Sequence, residues 1–227
     1  EVLQDMLEAA SRASTCGNMQ LYSLIVTQSR ELREALAPCH FNQPMVTQAP
    51  CVITVCADVH RFSMWCEQRD AEPCYDNFAW FLNGAADALL AAQNLCVEAE
   101  AHGLGICYLG TTIYTAEEIA RILDLPKGVI PVTTIVVGHP DESPELTDRL
   151  PLDAVVHCEK YHHYTSSEID ELWAEKETSE ETRRLLEENG LPNLAQIFTR
   201  NRYRAEDNLA ISRNYFALLK KQGFFNN

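Results

Sequence analysis

The amino-acid sequence predicts a three-layer α/β or α+β domain followed by a helical tail, and three observations carry that expectation. Four apolar, β-branched runs fall within the first 140 residues, amphipathic helical patterns separate most of them, and beyond Pro151 the pattern turns helical.

Taken in order, Val2, Leu3, Met6, Leu7 and Ala10 have the spacing of an opening amphipathic helix. A polar stretch, SRASTCGNMQ from Ser11 to Gln20, breaks it ahead of a first strand at Leu21–Thr27. The second strand is CVITVCAD, Cys51–Asp58. A long helix is expected from about Asp76 to His102, where Phe78, Phe81, Leu82, Ala85, Leu89, Ala92, Cys96 and Ala99 recur at steps of three and four. Its small residues, among them Gly84, Ala88 and Ala91, permit close approach of a neighbour, and Gly103 stands where a C-terminal cap belongs. A third strand follows at Gly105–Gly110, then a short helix opening on the capping-box pair Thr115 and Glu118, with Ile119, Ile122 and Leu123 on one face. The fourth strand is Ile130–Gly138. In the tail, Glu168 to Glu188 carries a net charge of −6 and Phe198 to Lys221 a net +4. With no repeat and no flexible linker, one domain is expected, its core spanning about 1–161 and a helical extension about 165–227.

Composition removes several functions. Eighteen basic against 33 acidic residues leave a net charge of −15, which repels polyphosphate backbones and anionic membranes. No nucleic-acid or membrane partner is expected, and without an apolar span or a leader the chain reads as soluble and cytoplasmic. The nine cysteines are odd in number and sit mainly in apolar runs, which suits reduced thiols. Cys56, His60, Cys66 and Cys74 lack zinc-ligand spacing, and His157, Cys158, His162 and His163 read as a polar turn, so no metal site is expected. Glycine-rich nucleotide loops, the serine nucleophile elbow and the H-E-x-x-H zinc motif do not occur.

What remains is a set of polar patches at strand ends: STCGNMQ before the first strand, FNQPMVTQAP before the second, YLGTT after the third and ELTDRLPLDAVVH after the fourth. The patch Ser14-x-x-x-Asn18-x-Gln20, the stretch from Asp87 to Gly105, Tyr108-Leu109-Gly110, Gly138-x-Pro140 and Arg149-Leu150-Pro151 occur in the order that resembles the nitroreductase family. The likeness is nearest to its branch of FMN-dependent NADPH nitroreductases and flavin reductases, and it spans Met6 to about Tyr161.

The resemblance implies an α+β core with a mostly antiparallel central sheet, entwined in a homodimer that holds FMN at the subunit interface. It places Ser14 and Thr15 on the ribityl-phosphate side, Asn18 or Gln20 at the ring, and Gln43 at the pyrimidine edge. Tyr108 and Leu109 belong to the cofactor-binding segment, within which Gly110 and Thr111 match the place where a backbone N–H approaches flavin N5 and a Cβ at Gly110 would obstruct the ring, and Arg149 matches the arginine that pairs with the phosphate. Read without the family, Ser14 to Gln20 would be a helix-ending turn whose side chains satisfy nearby backbone. The family ordinarily opens on an arginine-rich segment, R-R-S-x-R-x-[FY], that grips the phosphate; it is not represented in the sequence from Glu1, and Thr147 stands where a lysine is usual. Weaker FMN affinity is the expectation.

The implied reaction is a ping-pong cycle in which NADPH or NADH gives a hydride to flavin N5 and a small molecule, whether nitroaromatic, quinone or flavin, takes the electrons. No side chain presents itself as a catalytic acid or base. Arg200, Arg202 and Arg204 could meet a 2′-phosphate or form a solvated helix start, and Phe41, Trp65, Trp80 and Tyr114 could stack on a ligand or fill the core. A flavin-binding or sensing protein without turnover is the alternative from another class, and dehalogenation or flavin fragmentation the variants within the redox class.

Overall fold

The structure, a computed structural model, describes residues 1–226. In chain order the elements are α1 (Val2–Ser11), β1 (Tyr22–Thr27), α2 (Arg30–Leu36), α3 (Met45–Gln48), β2 (Cys51–Asp58), α4 (His60–Glu67), α5 (Phe78–Ala101), β3 (Gly105–Leu109), α6 (Ala116–Ile122), β4 (Val129–Gly138), α7 (Ser166–Thr178), α8 (Glu180–Asn189), α9 (Leu194–Ile197) and α10 (Ala205–Lys221). The chain divides into two compact units, one made of residues 1–141 with those from Ile211 onward and the other of Glu142–Ala210. From His139 to Arg149 every residue is exposed and none is in a helix or strand, so nothing there extends the core.

The first unit is built on a four-stranded antiparallel sheet in the order β1-β2-β4-β3. All eight residues of β2 are buried, which explains why Cys51–Asp58 shows no polar face. Alternate residues point to opposite layers. Ile53, Val55 and Ile135 pack with Met6 and Ala10 of α1 and with Ala88, Ala91, Ala92 and Leu95 of α5. Val52, Val136 and Leu109 face the other way, onto Ala37 and Val46. Helical segments thus cover both faces of the sheet, the three-layer α+β arrangement. Pro131 sits in β4 where its register with β2 shifts, and a bulge is where a central strand tolerates a residue without an N–H. Its carbonyl accepts a hydrogen bond from the hydroxyl of Tyr215 at 2.9 Å, and Leu218, Leu219 and Phe224 pack beside it on Leu21, Ile130 and Phe81.

Helix α5 lies tight against the sheet because Gly84 is there. A Cβ at that position would stand 3.0 Å from the Leu21 carbonyl oxygen and 3.2 Å from Ala57 Cβ. On the opposite face of the same helix Leu82, Leu89, Leu90 and Val97 are exposed.

The short helix α6 begins at Ala116 as the spacing predicts, but the expected capping box at Thr115 and Glu118 is not formed. The Thr115 hydroxyl instead donates to the Cys39 carbonyl at 2.8 Å. A capping box does occur in the second unit, between Thr165 and Glu168 at the start of α7. That unit consists of α7, α8, α9, a π-type turn at Phe198–Arg202 and the beginning of α10, with Thr182, Leu194 and Ile197 as its buried residues.

Candidate functional site

The polar stretch before β1 is an open loop held from behind. Gly17, Asn18 and Gln20 all have φ near +55°, a conformation that costs a side-chain-bearing residue about 1–2 kcal/mol. What keeps them there is a pair of charged groups beneath the loop. The buried carboxylate of Asp87, on α5, accepts from the amides of Cys16 at 2.8 Å and Leu21 at 3.1 Å. Arg61, on α4, donates to the carbonyls of Gln20 and Tyr22 and to Asp58, which also accepts from Ser23. Amides are tied on one side and carbonyls on the other, so the backbone is fixed without using the loop's side chains.

Those side chains stay available. Among the described residues, the hydroxyls of Ser14 and Thr15 and the side-chain amide of Asn18 have no hydrogen-bond partner, and the Gln20 side chain bonds only to the Asn18 carbonyl at 3.2 Å. The local-satisfaction reading of the stretch therefore fails for three of its four polar residues.

A second cluster forms where the FNQP segment meets the end of β3. Buried His40 places Nδ1 2.9 Å from the Thr111 hydroxyl, while its carbonyl accepts from the Gln43 side chain at 3.1 Å. Gln43 and Thr111 are thereby brought together through a residue the sequence did not single out. The turn Gly110–Ile113 is pinned from below by Thr112, whose hydroxyl donates to the Leu109 carbonyl at 2.8 Å and lies 2.9 Å from the Thr134 hydroxyl. A Cβ at Gly110 would meet nothing within 4 Å, so packing within this chain gives no reason for the glycine. Leu109 is buried among Val46, Val52 and Val136 and offers a ligand its backbone alone. Tyr108 is partly exposed, its phenol pushed up by burial and by a hydrogen bond with Cys96. No hydrogen bond among the described residues joins this cluster to the Ser14–Gln20 loop.

Arg149 lies in the second unit. It is exposed and donates to the Thr147 hydroxyl at 2.6 Å and to the Asp148 carbonyl at 2.8 Å. The four aromatic residues separate into two groups. Phe41, well exposed, pairs with Tyr114 at 6.1 Å beside Gln43, whereas Trp80 meets Tyr75, which meets Phe62 and through it Trp65.

The chemistry of these groups is that of a binding surface. Hydroxyls, carboxamides and turn amides can line the polar edge of a ligand, and the one imidazole among them is held neutral, its pKa lowered to about 4 by burial. No group of three or more histidine, cysteine or acidic side chains placed to hold a metal occurs among the described residues.

A family model described as the nitroreductase family matches residues 1–139. The chain belongs to the nitroreductase family. A relative in Bacillus subtilis (strain 168), named FMN reductase (NADPH), is 32% identical over 164 residues, which are 71% of this chain and 66% of the relative, just under two thirds of its length. Among solved structures, a candidate oxidoreductase of Bacteroides fragilis NCTC 9343 superposes with a TM-score of 0.97 at 50% identity, covering 99% of this chain and 91% of that one. A nitroreductase of Bacillus subtilis superposes with a TM-score of 0.87 at 26% identity, covering 100% and 91%.

In this member of the family the residues with no signal in the sequence are those that support others. Asp87 lay within a quoted motif but carried no role, and Arg61 and His40 had no local signal, because each acts on backbone or side chains distant along the chain. Thr115 has the spacing of a capping box but makes no such cap.

Proposed function

We propose that this chain is an FMN-dependent oxidoreductase working as a homodimer, with NADPH or NADH as donor and a nitroaromatic, quinone or flavin as acceptor in a ping-pong cycle. The observation that carries the reading is the set of donors without partners on Ser14, Thr15 and Asn18, displayed on a loop whose backbone Asp87 and Arg61 hold. FMN, when bound, would supply the hydride and electron-transfer chemistry, and the chain's own residues would hold and orient it.

The residues fit that group. Ser14 and Thr15 would hold the ribityl-phosphate side, and Asn18 and Gln20 the ring. Gln43 uses its amide nitrogen on His40 and so keeps its carbonyl oxygen for the pyrimidine edge. The backbone of Tyr108, Leu109, Gly110 and Thr111 would pass the ring at N5, where the open space at Gly110 suits a flat ligand. The first amides of a helical turn have no acceptor within it, and at Gly110 and Thr111 they would face the ligand. Arg149 would meet the phosphate. No side chain is assigned an acid or base role.

Two features of the single chain suit a homodimer. The exposed Leu82, Leu89, Leu90 and Val97 form an apolar stripe on α5 that another protomer would cover. The two clusters, unlinked by hydrogen bonds in one chain, would each be completed by the partner. For the donor, Arg200 and Arg202 suit a 2′-phosphate better than Arg204, which is engaged with Glu206 and Asp207. We also propose a cytoplasmic setting; no described helix is long and apolar enough to cross a membrane.

The test is optical. The purified protein, loaded with FMN and freed of unbound flavin by gel filtration, should keep the flavin's visible band, lose it on adding NADPH under nitrogen and regain it with a nitroaromatic. A band that appears and does not bleach points to binding without turnover, and a protein that takes up no FMN removes the flavin reading.

A further inference from the structure

His40 is an unusual residue to find under a binding surface. It is fully buried, and while Nδ1 meets the Thr111 hydroxyl at 2.9 Å, Nε2 is enclosed with no hydrogen-bond partner among the described residues. Leaving a buried polar atom unpaired costs about 1–3 kcal/mol, so an apolar residue would serve a purely structural core better. The fold tolerates the imidazole at the junction of two short turns.

What those turns carry gives the reason. Ala37–His40 ends in two consecutive left-handed residues, Phe41 and Asn42, both with φ of 55°, and the chain reverses there so that the Gln43 side chain and amide both reach the His40 carbonyl at 3.1 Å. Gly110–Ile113 carries the backbone amides of the candidate site. Among the described residues, two side-chain hydrogen bonds join the first turn to the second and the residues just after it: Thr115 to the Cys39 carbonyl at 2.8 Å, and His40 to Thr111. The first reaches the base of the turn, and the second reaches the residue next to Gly110.

We propose that His40 is a positioning residue which, by bridging to Thr111, holds the Gln43 carboxamide and the Gly110–Thr111 amides in one register toward the flavin ring. The proposal rests on the flavin reading of the site. Burial keeps the imidazole neutral near neutral pH, and because a hydroxyl both donates and accepts, the Nδ1–Oγ1 contact forms with either tautomer. The bridge acts on two groups at once, so its loss alters how the ring edge is met while leaving the sheet beneath untouched.

The experiment compares wild type with His40→Leu, His40→Asn and Thr111→Val by FMN fluorescence titration, by the visible spectrum of the bound flavin and by its reduction potential. His40→Leu and Thr111→Val should each weaken FMN binding about tenfold and shift both band and potential, and the double variant should do no more than either alone. His40→Asn, whose side-chain amide can occupy the place of Nδ1, should restore wild-type values. If His40→Leu does not fold, Thr111→Val breaks the same bond with little change of shape. Wild type that binds FMN, alongside variants that bind it equally tightly with unchanged spectrum and potential, overturns the proposal. Wild type that takes up no FMN overturns the flavin reading itself, and the proposal with it, before any variant is made.

Discussion

The Oδ1 atom of Asp87 lies 2.8 Å from the amide nitrogen of Cys16, and the other oxygen of that carboxylate reaches the amide of Leu21. One buried side chain therefore spans the whole left-handed turn that displays Asn18 and Gln20. Asp87→Ala leaves two amides without acceptors and should lower stability by about 2–4 kcal/mol, while Asp87→Asn, which keeps one acceptor, should cost less. Urea unfolding measures both. In Asp87→Asn the loop should also relax, weakening FMN binding about tenfold. An alanine variant as stable as wild type would show that the carboxylate does not hold the loop.

Gly110 separates a ligand constraint from a folding constraint. Its backbone is not in the left-handed region and a Cβ there meets no atom within 4 Å, so Gly110→Ala should change stability by no more than about 0.5 kcal/mol. Against a ring lying on that face, the added methyl should weaken FMN binding at least about tenfold, and Gly110→Leu should weaken it further. Thermal melting without ligand and FMN titration together check this. Unchanged FMN affinity in both variants would move the ligand away from the turn.

The same contrast explains what the sequence could reveal. All four strands were legible within a residue at either end, because β-branched runs bounded by turns are a local signal, and α5 was legible from its apolar spacing. The four- to eight-residue helices α2, α3 and α4 were not, since each is too short to establish a period. Polar residues of the candidate site stood out because they sit together at strand ends. Their supports did not: Asp87 lies 66 residues from Leu21 in the chain, and His40 is 71 from Thr111, separations over which only folding makes them neighbours. Thr115 misled for the same reason, since the capping-box pattern is local and its hydroxyl's real partner, Cys39, is not.

Acid should expose the burial of His40. Its pKa falls from the ordinary 6.5 to about 4 in the folded chain, with burial as the cause, so the unfolded chain binds the proton more readily. Stability is unaffected by this group above pH 6.5, declines as pH falls from 6.5 toward 4, and is fully lowered below that, by on the order of 3 kcal/mol. Subtracting the pH profile of His40→Asn from that of wild type isolates the effect from the acidic residues. A flat difference between pH 7 and pH 4 would mean that the imidazole is protonated in the fold or open to water.

The stripe on α5 sets the last expectation. Leu89 and Leu90 are 46% and 49% exposed in one chain, so in an isolated protomer replacing either with glutamate should cost less than about 0.5 kcal/mol. Covered by a second copy, the same carboxylate would lose its water without gaining a partner, a penalty of several kcal/mol that a modest interface does not withstand. Wild type should sediment as a dimer, and Leu89→Glu at the same concentration as a monomer with its secondary structure intact. Because the loop at Ser14–Gln20 and the turn at Gly110 share no hydrogen bond within one chain, FMN binding should fall in step with dimer content and recover at higher protein concentration. A monomeric variant that binds FMN as tightly as wild type would place the complete site within a single protomer.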